Sequence, residues 1–155
     1  NQTHPFVIRY PRAEVKLDKN QPYRFNDITP TWETIREGKA IILISYGLGV
    51  ELMQEVQASL DIDAMIVNAR FIKPMDLDYL NQLFELNLPI LVYEEAWGSG
   101  SLYPQILKEM ANQGLNIKIK GMTVDDIIHH GTRMHNQMDA KMTKDDVIKV
   151  IQTLI

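Results

Sequence analysis

No cysteine occurs in the chain, which excludes a disulfide framework and thiolate chemistry and suits a reducing compartment. No apolar run approaches the roughly 20 residues with which a helix crosses a bilayer. The opening Asn1-Gln2-Thr3-His4-Pro5 lacks the charged and apolar regions of a signal peptide. The sixteen Lys and Arg are scattered among twenty Asp and Glu, for a formal charge of -4, so no basic stripe offers a track for nucleic acid. Internal repeats and low-complexity tracts are also missing. These absences lead to the expectation of a soluble, cytoplasmic protein without nucleic-acid or membrane partners.

What is present is ordinary globular material. Apolar residues make up 45% and charged residues 23% of 155 positions, enough to bury the core of one domain with a short extra segment. Phe6-Val7-Ile8 reads as a strand stopped by Pro11, which has no amide to donate to a sheet. Residues 13–30 are polar and broken by Pro22, Asn26 and Pro30, as a connector is. Beyond it, Thr31 to Glu37 alternates weakly like an edge strand, and Ala40 to Ile44 is a continuous apolar run suited to a strand buried on both faces.

The pattern then repeats. Leu48, Leu52, Val56 and Leu60 recur at helical spacing before the apolar run Ala64 to Val67. Asp76 opens a helix expected to turn Leu77, Leu80 and Phe84 inward, and Ile90 to Tyr93 follows as a strand. Leu102, Ile106, Leu107 and Met110 mark another inner stripe, closed by Gly114 before a strand expected at Ile117 to Ile119. Thr143-Lys144-Asp145-Asp146 resembles a capping box, followed by the stripe Val147, Val150, Ile151 and Leu154. Alternating strands and helices predict an α/β fold, a three-layer α/β/α sandwich built by right-handed crossovers.

Several short motifs invite chemistry. Gly47-Leu48-Gly49 follows a strand as a dinucleotide-binding turn would, but Leu52 stands where the third glycine belongs, and Asn68-Ala69-Arg70 replaces the ribose-binding acid. Gly98-Ser99-Gly100-Ser101 follows Glu94-Glu95 at a strand end, where parallel sheets gather ligands. Glu95 there is a candidate for catalysis or for contact with a neighbouring domain, and the plainer alternative is that the acids cap the next helix. His129-His130, with Asp125, Asp126 and His135, supplies imidazoles and carboxylates in a spacing that fits no metal signature. No serine sits in a nucleophile elbow. Arg9 and Arg12 flank Tyr10-Pro11, where a fixed guanidinium can grip a phosphate with two bonds.

Four strings in order resemble one family. Pro5-Phe6-Val7-Ile8-Arg9-Tyr10-Pro11-Arg12 is similar to the end of the pyrimidine-binding domain in 1-deoxy-D-xylulose-5-phosphate synthases of the transketolase superfamily. Asn68 to Asp76, Glu94-Glu95 before Gly98-Ser99-Gly100-Ser101, and Asp126-Ile127-Ile128-His129-His130-Gly131 resemble later motifs of the same enzymes. Ala13 stands where a glycine is usual, and Ala96-Trp97 where an asparagine is common.

The resemblance implies a mixed five-stranded sheet with its first strand antiparallel. The division it implies is the end of the preceding domain over residues 1–13, a linker over 14–30 and the transketolase C-terminal domain over 31–155. It implies an enzyme joining pyruvate to glyceraldehyde 3-phosphate with loss of carbon dioxide, supplying isoprenoid, thiamine and pyridoxal synthesis. Thiamine diphosphate and Mg2+ would be held by the preceding domains, so this chain alone is expected to be inactive and to bind neither. Arg12 would bind the acceptor's phosphate; Glu95, Gly98, Gly100 and His130 would lie at a domain interface or the edge of the active site. The intact protein would be a homodimer. The alternative is a non-catalytic dimerisation or assembly domain of a related transketolase or 2-oxoacid dehydrogenase β subunit.

Overall fold

A computed structural model describes residues 29–124 and 130–155. The expected opening strand, most of the connector, the domain boundary at residue 13, Arg12 and the segment 125–129 lie outside them. Five strands, Glu33–Arg36 (β1), Ile41–Ser45 (β2), Ala64–Asn68 (β3), Ile90–Trp97 (β4) and Ile119–Val124 (β5), form one sheet in the order β1-β3-β2-β4-β5. β1 runs antiparallel to β3, with Glu33 opposite Asn68. The remaining pairs are parallel, so the sheet is mixed with its first strand antiparallel, as expected.

Strand periodicity divides the core in two. Ile42, Ile44, Met65, Val67, Ile90 and Val92 point to one face, where they meet the helices Leu77–Glu85 (α2) and Leu102–Asn112 (α3) through Leu80, Leu83, Phe84, Leu102 and Ile106. Ile41, Leu43, Ala64, Ile66, Leu91 and Tyr93 point to the other. There they meet Leu48–Ser59 (α1) and Lys144–Leu154 (α5) through Val50, Met53, Val56, Val147 and Ile151. The placement obeys right-handed crossover: α1 leads from β2 out to β3, while α2 and α3 lead the opposite way, so they cover the opposite face. Strands β2, β3 and β4 are buried on both sides, which is why they read as unbroken apolar runs.

Caps and stops fall where the side chains allow. Thr143 and Asp146 form the expected reciprocal capping box. Asp76 accepts from the Tyr79 amide at 3.0 Å, and the amide of the buried Trp32 donates to its other oxygen at 2.8 Å. Burial pushes the Asp76 carboxyl up, but hydrogen bonds from Thr31, Tyr79 and Trp32 outweigh it and leave the group below its ordinary value. Arg70 donates through Nε and Nη2 to the Thr31 carbonyl at 3.2 and 3.1 Å, and Trp32 Nε1 donates to the Phe71 carbonyl at 2.9 Å. The motif Asn68 to Asp76 thus ties the entry to β1 onto the start of α2.

Four expectations are corrected. The last strand begins at Ile119 and runs to Val124, later than Ile117 to Ile119, because the lysines at 118 and 120 and Gly121 interrupt the apolar run on this edge strand. Leu77 and Leu107 are exposed rather than inward. In α1 the buried side is Gly49, Val50, Met53 and Val56, with Leu52 half-buried, so the inner stripe is rotated from the one expected. A short helix, Arg133–Asp139 (α4), stands where none was anticipated.

Candidate functional site

The carboxyl ends of β2, β4 and β5 lie together at one end of the sheet, and the Glu94-Glu95 pair is split between two tasks there. Alternation along β4 sends Glu94 inward, 1% exposed, where its carboxylate accepts from the amides of Leu102 at 2.8 Å and Tyr103 at 2.7 Å and from the Tyr46 hydroxyl at 3.2 Å. It caps α3, the plainer of the two roles open to the pair in the sequence. Its place at the positive end of a helix offsets the cost of burying it.

Glu95 turns the other way. Arg133 at the start of α4 donates to it through Nε at 2.8 Å and Nη2 at 2.5 Å, a two-bonded ion pair, and Gln137 Nε2 adds a third bond at 2.9 Å. The Tyr93 hydroxyl, 3.1 Å from Glu95 Oε1, also reaches the Met142 carbonyl at 3.0 Å. The bond to Glu95 raises the Arg133 pKa. Burial first, and then the Glu95 charge, push the Tyr93 hydroxyl well above its ordinary value.

Between these groups lies a cleft of about 290 Å³ lined by Glu95, Arg133, Asn136, Gln137, Val124 and Met142, with Ala140 beside them. Its polar wall is an internally neutralised pair and its floor is apolar. Such a surface can hold or orient a neighbour; the groups lining it contain no nucleophile with an activating base.

Of the expected site residues, Glu95 lines this cleft and Gly98–Gly100 form a 3₁₀ turn at the end of the same strand. Nothing lies within 4 Å of where a Gly100 side chain would start. His130 is exposed, three residues before Arg133. Arg12, His129, Asp125 and Asp126 lie outside the described residues. Among the described residues no group of three or more His, Asp or Glu side chains is arranged to hold a metal ion. No described helix is long and apolar enough to cross a membrane. Sequence reading missed Arg133, Gln137 and Tyr93 as partners of Glu95; 38 residues separate Arg133 from it, and no local spacing signals such a pair.

A mixed sheet with one antiparallel edge, two helices on each face and its glycine turns at the carboxyl end defines an α/β domain of the kind that closes transketolase-like enzymes. The model of the transketolase C-terminal domain matches residues 31–147, and the chain belongs to that family. It is similar to the 1-deoxy-D-xylulose-5-phosphate synthase of Macrococcus caseolyticus, 34% identical over 152 residues that cover 92% of this chain and 22% of that protein. The synthase of a Geobacillus species is 33% identical, with 97% of this chain and 25% of the relative covered. The chain therefore spans about a quarter of the length of the curated relatives it matches. Among solved structures, a split-gene transketolase described as an inactive beta4 tetramer superposes with a TM-score of 0.75 at 21% identity, over 82% of this chain and 43% of that one. A transketolase from Pichia stipitis gives 0.54 at 17% identity, over 81% and 18%. Likeness at that level concerns the fold alone.

Proposed function

We propose that this chain is the C-terminal portion of a cytoplasmic, thiamine-diphosphate-dependent 1-deoxy-D-xylulose-5-phosphate synthase, which condenses pyruvate with glyceraldehyde 3-phosphate and releases carbon dioxide. The observation that carries the reading is identity of about a third running along nearly the whole chain to synthases of that name. In this reading residues 1–13 end the pyrimidine-binding domain, 14–30 are a linker, and 31–155 form a supporting domain in a homodimer. Thiamine diphosphate supplies the carbanion chemistry when bound, and it and Mg2+ belong to the preceding domains. The chain alone neither binds the cofactor nor turns over pyruvate.

Two roles remain for this chain's own residues. Glu95, Gly98, Gly100 and His130 stand at the edge facing another domain or the active site; the exposed Trp97 on the same strand end supports contact there. Arg12 holds the acceptor's phosphate: a guanidinium fixed by Pro11 makes two charge-assisted bonds worth on the order of 1.5–3 kcal/mol, about ten- to a hundredfold in binding. In the full-length enzyme Arg12→Ala should raise KM for glyceraldehyde 3-phosphate by that factor, leave KM for pyruvate nearly unchanged, and hardly affect an unphosphorylated aldehyde. Equal weakening of both substrates would reduce Arg12 to a structural residue.

A further inference from the structure

Open parallel sheets bind ligands in the crevice beyond the carboxyl ends of two strands whose crossovers leave in opposite directions. Here that crevice lies between β2 and β4, since α1 carries the chain to one side and α3 to the other. Both bordering turns are rich in glycine, and α1 and α3 start beside them, so the geometry of an anion site is in place.

The groups that border the crevice at β4 and α3 are nonetheless turned inward. Ser45 Oγ donates to the Tyr93 carbonyl at 2.8 Å, joining the two strand ends. Tyr46 reaches from the end of β2 to Glu94 on β4. A side chain at Gly49 would begin 2.1 Å from Ser45 Oγ and 3.1 Å from the Tyr93 ring, so that glycine serves the packing of α1 against the strands rather than the approach of a ligand. The two leading amides of α3, which a bound phosphate or carboxylate would take, are taken by Glu94. The Leu102 and Tyr103 amides and the Tyr46 hydroxyl all donate to it, the arrangement an acceptor-only carboxylate requires.

We propose that Glu94 is a built-in anion: the domain keeps the crevice of a ligand-binding α/β sheet but fills the start of α3 permanently with its own carboxylate, which leaves no anion subsite at those amides. The proposal is independent of the reaction assigned above. It explains why the glycine pattern around Gly47-Leu48-Gly49 and Gly98-Ser99-Gly100 is found without the remaining elements of a nucleotide site.

Thermal unfolding of this chain tests it with two variants. Glu94→Gln keeps the shape but turns an amide donor toward a backbone donor, and should lower Tm by on the order of 5–10 °C. Glu94→Ala removes the acid and leaves space for acetate. Its Tm should fall further and recover as sodium acetate is added, with little recovery in sodium chloride at equal ionic strength and no comparable acetate response in the unaltered chain or in Glu94→Gln. A Glu94→Ala protein that folds only with acetate present would support the same conclusion. A Glu94→Gln protein as stable as the original, or a Glu94→Ala protein that responds equally to both salts or stays unfolded in acetate, would overturn it.

Discussion

Asp76 and Asp146 show how single residues hold this domain together. Each caps a helix, α2 or α5, and each carboxyl sits below its ordinary value. For Asp146 the Thr143 hydrogen bond is the largest cause and acts against its burial; for Asp76 burial opposes the shift and the hydrogen bonds prevail. A carboxyl whose folded pKa is depressed adds stability above its unfolded value, near 3.9, and loses it as pH falls through the folded value. Urea unfolding between pH 7 and pH 2 should therefore show stability falling below about pH 4, with a shallower fall in Asp76→Asn and Asp146→Asn. At pH 7 the loss of either cap should cost about 1 kcal/mol. An acid limb unchanged by both substitutions would contradict these roles.

At the scale of elements, α1 sits in close contact with the ends of β2 and β4. Gly49→Ala forces a methyl against Ser45 Oγ, and should destabilise the domain by about 1–3 kcal/mol. Ser45→Ala alone loses the bond to the Tyr93 carbonyl, at about 1 kcal/mol. Because the second change removes the atom the first collides with, the double variant should be more stable than the sum predicts by about 1 kcal/mol; strict additivity in denaturant melts would show that the two do not share a joint. The same element scale shows what a linear reading reaches. Burial on both faces writes β2, β3 and β4 into the chain as apolar runs such as Ile41 to Ile44, and capping chemistry announces α2 and α5. Helix α4 carries the opposite pattern: Arg133, Asn136 and Gln137 line the cleft, while Met134 and Met138 are exposed. A search for an inner apolar stripe passes over it. Edge strand β5, with Lys118, Lys120 and Gly121 in and beside it, is weakened as a signal for the same reason that an edge needs less apolar cover.

Over the whole molecule, the sequence motifs that resemble the synthases divide by task. Asn68 to Asp76 and Glu94 are joints of the fold, and their structural bonds need no substrate to explain them. Glu95 could be singled out from one dimension because it stood at a strand end, whereas its partners on α4 could be found only once the sheet and the helix were placed side by side. What remains for function is the cleft at the carboxyl end, the exposed Trp97 beside it and the phosphate grip proposed for Arg12. In the proposed full-length synthase, whose relatives are roughly four times as long as this chain, all three would have a purpose. The most direct test is turnover by that full-length polypeptide with thiamine diphosphate and Mg2+, supplied with pyruvate and glyceraldehyde 3-phosphate. Carbon dioxide and 1-deoxy-D-xylulose 5-phosphate should form in equal amounts. Ketol transfer between sugar phosphates with no release of carbon dioxide from pyruvate would contradict it.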